Sequence, residues 1–193
     1  MTTYKLTCQD NKTFGGCLWG EDVTHETDGK GSLCGPGWLH AYRNPLLAVF
    51  LNPIHANIKE PRLWECIGEG EYLDDRGLKC GFTRLTTVRE IPLPEVTTAQ
   101  RIAFAILCAK EVCGDPEWCT WADNWLRGND RTETAAWTAA LAADAAVWAA
   151  ARAAALAAYW AADADLAAYR AADAADVAAD IDLISIAQKA MEY

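Results

Sequence analysis

Thr83-Arg-Leu-Thr-Thr-Val-Arg-Glu-Ile-Pro-Leu-Pro-Glu-Val-Thr-Thr-Ala-Gln-Arg-Ile-Ala-Phe104 changes character at its centre. Up to Ile91 the run is short, β-branched and bounded by turn signals, which predicts strand. Past Pro92-Leu93-Pro94, Thr97 and Gln100 stand at capping-box spacing ahead of Ile102 and Phe104-Ala105-Ile106-Leu107, which predicts helix. The chain therefore reads as α+β, with a mixed, β-rich part over 1–95 and helices beyond it.

Toward the N-terminus the same punctuation continues. Lys79-Cys80-Gly81-Phe82 and Thr83 to Ile91 form two strands or one bent strand, and Arg62-Leu63-Trp64-Glu65-Cys66-Ile67 partly alternates as a half-buried strand should. Asn44-Pro45 suits an N-cap and first helical residue, so Leu46 to Leu51 is expected to be a short helix closed by Asn52-Pro53. Gly15-Gly16, Asp28-Gly29-Lys30-Gly31 and Gly35-Pro36-Gly37 are turns, the last launching Trp38-Leu39-His40-Ala41-Tyr42.

Toward the C-terminus the helix of Phe104 should end at Gly114. Asp115-Pro116 opens another, with Trp118, Trp121 and Trp125 on one face, Leu126 behind them and Gly128 as the stop. That Trp face reads as core against Phe104 and Leu107; a stacking platform for an aromatic ligand is the alternative. Asp130 and Glu133 resemble a further capping box. From Ala135 onward the chain is roughly half alanine without one Gly or Pro. Trp137, Trp148, Tyr159, Arg170 and Ile181 recur there at eleven-residue steps, three turns at about 3.67 residues each. One helix from Thr132 to Glu192, about 90 Å long, is expected, and its alanine faces favour homo-oligomerisation. A pentapeptide β-helix, suggested by Ala164-Asp165-Leu166, lacks a sustained five-residue register and runs against alanine's helix propensity. The expected organisation is a head over 1–128 (1–95 β-rich, 96–128 two helices) and an oligomerisation helix over 129–193.

Bulk properties narrow the function. Across 193 residues the net charge is −10, which argues against a general nucleic-acid binder but leaves room for a local pocket for a small anion. The N-terminus has no basic-then-apolar export signal and no long uncharged apolar run is present, so a cytoplasmic protein without a membrane span is expected. The eight cysteines include no C-x-x-C pair; buried free thiols are expected, with disulfides as the alternative. His25, His40 and His55 are widely spaced without an accompanying motif, so no metal is assigned. With no G-x-S-x-G, P-loop or G-x-G-x-x-G, neither a catalytic residue nor a cofactor is assigned. The densest polar–aromatic cluster runs from Cys34 to Leu47 and resumes from Asn52 to Asn57. Turn-borne polar groups of this kind suit a ligand site; the plainer alternative has His40 and Tyr42 capping a core and Asn44 and Asn52 bounding a helix.

Gly37-Trp-Leu-His-Ala-Tyr-Arg-Asn-Pro-Leu-Leu-Ala48 resembles a G-[FW]-x(0,1)-H-A-x-x-x-P-L segment of small bacteriophage proteins of unassigned activity, with Leu39 standing between the aromatic and the histidine. Those proteins often carry an alanine-rich tail studded with Trp and Arg. The same segment is similar to one strand of the ADP-ribosyltransferase fold, although the glutamate that such catalysis needs has no counterpart here. A compact ligand head on an assembling helix is also similar in outline to phage proteins that capture nucleotide immune signals. The resemblance implies a non-catalytic sponge for a cyclic nucleotide or cyclic ADP-ribose type ligand, working in the host cytoplasm. Arg43, Lys79 and Arg84 would meet phosphates, Trp38 or Tyr42 would stack on a base, and His40, Asn44 and Asn57 would read polar edges. The alternatives are a structural adaptor working through its helix, or an ADP-ribosyltransferase-like enzyme.

Overall fold

Two long antiparallel strands, β4 (Arg62–Asp74) and β5 (Cys80–Ile91), organise the first of two units, Met1–Glu95 and Val96–Tyr193. The computed structural model describes residues 1–111, 113, 115–132 and 181–193. Among them are a five-stranded antiparallel sheet and four α-helices, and no helix is long and apolar enough to cross a membrane. The β4–β5 turn is built by Asp74, whose carboxylate accepts from the Gly77 amide at 2.9 Å, and by Asp75, whose amide donates to the Lys79 carbonyl at 2.9 Å. Gly77 stands at φ +84°, a conformation that glycine adopts without strain. Lys79 to Ile91 thus contributes one strand, and β4 continues seven residues past Ile67. Register shifts at Glu65/Cys66 and Glu69/Tyr72 break the alternation that would have revealed its length.

The remaining strands attach to this hairpin. β1 (Thr2–Thr7) pairs with β4 from Thr2↔Ile67 to Thr7↔Arg62. β2 (Val23–Glu26) and β3 (Leu39–Ala41) both pair with β5, β2 against Arg84 to Thr87 and β3 against Cys80 to Phe82. Directly after β3, Tyr42 exchanges two backbone hydrogen bonds of 2.8 Å with Tyr4 of β1. Since β1 ends the order β1-β4-β5-β2 and β3 pairs with β5 off that path, this bridge ties the first strand directly to the chain just after β3.

The core includes Trp19, Leu39, Ala41, Trp64, Cys66, Cys80, Phe82 and Leu85. Trp64 Nε1 donates to Thr7 Oγ1 at 3.0 Å. Lys5 is 7% exposed; its Nζ donates to the His40 carbonyl at 2.7 Å and lies 4.4 Å from the Trp19 ring centroid. Burial pulls its ammonium down to about 8. The Thr3 hydroxyl is fully buried and has no hydrogen-bond partner.

Helix α1 (Pro45–His55) packs on β1. Asn44 caps it, accepting from the Leu46 amide at 2.8 Å, and Pro45 occupies the first turn. The helix does not close at Asn52-Pro53. Pro53 lies inside it, and the stop comes after His55. Asn52 sets that later stop: its carbonyl accepts from Ala56 and Asn57, while its side chain bonds Ile58 N–H at 3.0 Å and C=O at 2.9 Å.

In the second unit, α2 (Thr98–Lys110) begins at the complete capping box of Thr97 and Gln100. It ends at Lys110, before the Gly114 stop expected from sequence, because Glu111 and Cys113 already bond back to Cys108 and Ala109 in a closing turn. Helix α3 (Pro116–Leu126) is capped by Asp115, and Trp118, Trp121 and Trp125 are buried, as a core face requires. Gly128, at φ +76°, ends it with its amide on the Trp125 carbonyl at 3.0 Å.

Residues 133–180, with the repeat positions from Trp137 to Arg170 and most of the proposed oligomerisation segment, lie outside the described residues. The single helix from Thr132 to Glu192 needs correction at both described ends. Asn129 to Thr132 are not helical, and neither are Ile181 and Asp182. Asp182 instead caps a separate helix, α4 (Leu183–Ala190), accepting from the Ser185 amide at 3.1 Å and its hydroxyl at 2.6 Å. Helix α4 buries Leu183, Ile186, Ala187 and Ala190 and lies on α2, and Gln100 Nε2 donates to the Met191 carbonyl at 3.0 Å. Its apolar stripe is thus covered by this chain rather than held open for a second copy.

Replacing the Thr3 hydroxyl by a methyl removes a buried group without a partner. Thr3→Val should raise unfolding free energy by about 1 kcal/mol in urea titrations. Lys5 binds its proton less tightly folded than unfolded, so its contribution is least favourable below pH 8 and recovers as pH rises to 10.5. The stability of the wild type relative to Lys5→Met should therefore climb, by on the order of 3 kcal/mol, across that window. A flat difference would show that Lys5 keeps its full hydration.

Candidate functional site

Where the chain leaves β3 it turns through Tyr42, Arg43 and Asn44 into α1, and the last residue of α1, His55, returns over Tyr42. Tyr42 Oη and His55 Nδ1 are 3.0 Å apart, and the two rings stack with centroids 5.7 Å apart and planes at 18°. His40 Nε2 donates to the Leu33 carbonyl. This holds the imidazole in its Nε2–H tautomer and leaves Nδ1 as an acceptor. Leu33 belongs to the glycine-rich turn before β3, which can lie close to β5 only because residue 81 has no side chain. A Cβ at Gly81 would strike the Leu33 side chain and come 3.2 Å from Trp38 Cβ.

Lys79, at the start of β5, completes the cluster. Its side chain is 15% exposed, and Nζ donates to Cys34 Sγ at 3.1 Å and lies 3.8 Å from the Asp75 carboxylate. Burial lowers the pKa of both histidines, and the Lys79 charge adds to it. His55 is brought down to about 4, and His40 is pushed the same way with Lys5 also contributing. Burial raises the Tyr42 phenol. At neutral pH the cluster therefore holds two neutral imidazoles and a neutral phenol beside an ammonium. Arg43 pairs with Asp74 at 3.6 Å, with side chains 38% and 28% exposed. Asp74 also accepts from Tyr72 Oη at 3.0 Å, and burial followed by that carboxylate pushes Tyr72 up to about 12.

The arrangement brings together a cation, neutral hydrogen-bonding edges and an aromatic surface. Among the described residues no group of three or more His, Cys, Asp or Glu could hold a metal ion. All eight cysteines are free thiols. Burial pushes Cys66 and Cys80 up to about 12, so they remain protonated, whereas Cys34 is exposed.

Of the residues singled out in the sequence, His40, Tyr42 and Lys79 converge, with Arg43 beside them through Asp74. The others serve elsewhere. Trp38 is buried with its indole N–H on the Gly31 carbonyl at 3.2 Å, so its faces are occupied by packing. Asn44 caps α1. Asn57, at φ +46°, closes the α1 turn through its backbone. Arg84 lies further along β5, paired with Glu26 at 2.5 Å and Glu69 at 3.1 Å. His55 and Cys34 join the site unforeseen. Reading α1 through Pro53 would have brought His55 within reach of Tyr42, but nothing local marks Cys34.

Compared with protein-family models, with curated proteins and with solved structures, the chain has no match.

His55 is harder to protonate folded than unfolded, so its contribution to stability is complete above pH 6.5 and is lost as pH falls toward 4. His55→Gln, which keeps an acceptor for Tyr42, should flatten the stability–pH curve between those values. An unchanged slope would mean that His55 is solvated.

Proposed function

We propose that the first unit is a non-catalytic binding module for a small anionic ligand of the nucleotide class, and that the protein acts by sequestering it. The observation that carries this reading is the pairing of Lys79 with the neutral His40–Tyr42–His55 cluster. The Lys79 charge acts on imidazoles that burial keeps uncharged, and with Asp75 no closer than 3.8 Å the ammonium can turn to an entering phosphate despite the acidic chain. Arg43 supports the same reading. Its half-exposed pair with Asp74 is weak, and a phosphate offers the guanidinium a bidentate partner instead. Tyr42 and His55 give the base or ribose an aromatic edge. A phage setting rests on the resemblance of residues 33–58 and of the tail's composition, and capture of a cyclic nucleotide or cyclic ADP-ribose type immune signal in the host cytoplasm rests on the outline of a compact head joined to an assembling helix. Assembly through residues 129–193 remains part of the proposal.

Isothermal titration against cyclic nucleotides and cyclic ADP-ribose isomers, with the ligand recovered by chromatography, tests it. One ligand per site should bind and return intact. Lys79→Ala and Arg43→Ala should each weaken binding at least about tenfold, as loss of a charge-assisted hydrogen bond does. Arg84→Ala should leave it unchanged, and Asn44→Ala should lower stability by about 1 kcal/mol. Absence of binding, with assembly intact, would favour the adaptor; turnover of a nicotinamide dinucleotide would favour the enzyme.

A further inference from the structure

Cys34 is the exposed cysteine of the chain, and the one with a lysine amine on its sulfur. The glycine-rich turn that carries it is fastened on either side: the Gly31 carbonyl accepts from Trp38 Nε1 at 3.2 Å, the Leu33 carbonyl from His40 Nε2, and the Gly35 amide donates to Ser32 at 2.8 Å. Lys79 is held from the opposite side by Asp75 and is mostly covered. Sulfur and nitrogen thus meet at 3.1 Å on two anchored segments, with the sulfur open to solvent and the nitrogen largely shielded from it. The other thiols lack this geometry: Cys66 Sγ points to the Trp64 carbonyl, Cys80 Sγ to Ala41 and Cys119 Sγ to Cys113.

We infer that Cys34 and Lys79 form a reversible covalent crosslink, a sulfenamide, when the protein meets hydrogen peroxide. The Cys34 thiolate attacks one peroxide oxygen and the O–O bond breaks. Two electrons pass from sulfur to peroxide, and with one proton taken up the products are a sulfenic acid and water. The Lys79 ammonium then gives up a proton to solvent, its lone pair attacks the electrophilic sulfur, and the S–O bond breaks. The departing hydroxide takes a second amine proton and leaves as water. A thiol reductant reverses the link through a mixed disulfide. The reaction removes the positive charge of Lys79 from beside His40 and His55, which makes it a switch at the cluster. The link forms whether or not the site takes a ligand.

The test is a peptide map of the full-length protein. The chain is treated with hydrogen peroxide, its remaining thiols are blocked with N-ethylmaleimide, and it is digested with trypsin without reductant. The expected product joins Gly31–Arg43 to Gly77–Arg84, uncut at Lys79, with N-ethylmaleimide on Cys80, and is lighter by two hydrogen atoms than Gly31–Arg43 and that labelled peptide together. It should separate with dithiothreitol and be lost in Cys34→Ser and in Lys79→Arg, which keeps the charge and the fold. Gly31–Arg43 joined instead to Cys80–Arg84, cut after Lys79, would be a disulfide and would overturn the inference. So would Cys34 recovered only as sulfenic or sulfinic acid, or a linked peptide that survives in Lys79→Arg.

Discussion

Two hydrogen bonds between Tyr4 and Tyr42 decide what kind of object the first unit is. Without them, β1 reaches β3 only through β4 and β5, and its outer edge is free at Tyr4. With them, β1 is bonded directly to the residue that follows β3, and Lys5, next to the bridge, is buried. Its ammonium has the His40 carbonyl and the Trp19 face in place of water. The same bridge fixes the backbone of Tyr42, and so the direction in which its ring leaves the sheet. That ring is the one that His55 covers. Bridge and site are therefore one event: the residue that ties the strands also begins the cluster.

Electrostatics then separates the cluster from the rest of the surface. Elsewhere on the unit, cations are matched by carboxylates along strand neighbours, as in Arg62 with Glu90, Arg89 with Glu65, and Arg84 with Glu26 and Glu69. Around Tyr42 the Lys79 ammonium has a thiol at 3.1 Å and a carboxylate, Asp75, at 3.8 Å, and its charge acts on imidazoles that burial keeps neutral. A charge so weakly compensated is available to an anion, and by the same token to chemistry at the sulfur next to it.

Local chemistry made much of the fold legible. Asn44-Pro45, Thr97 with Gln100, Asp115-Pro116 and Gly128 each open or close the helix that their side chains or backbone freedom suggest, and the Trp118–Trp121–Trp125 stripe is core. What escaped was non-local or depended on a local rule being overridden. Pro53 marks an end that the Asn52–Ile58 bonds postpone to His55, and with that turn goes the key to the site. Bulges in β4 hide a strand that runs to Asp74. Arg84 and Lys79 look alike in sequence, yet one faces carboxylates across the strands and the other a cysteine forty-five residues away. The helix expected from Thr132 to Glu192 runs straight through Asp182, whereas the Asp182 carboxylate starts a helix of its own. The bridge between Tyr4 and Tyr42 has no sequence signature, because it joins the first strand to a residue beyond the third.

The pairing of β1 with residues 62–67 has a temporal side. During synthesis at about 5–20 residues per second, β1 is made roughly 3–13 s before the strand it will pair with. For that interval it is a short β-prone segment with both edges unsatisfied. Thr3, Lys5 and Thr7 occupy the face that later turns inward, so the nascent strand carries a full charge at its middle rather than an apolar stripe. A lysine so placed opposes pairing with a second nascent chain, since two such strands would bring their ammonium groups together. The residue least at ease in the finished interior is in this sense a guard on the way to it, and its burial is deferred until the right partner exists.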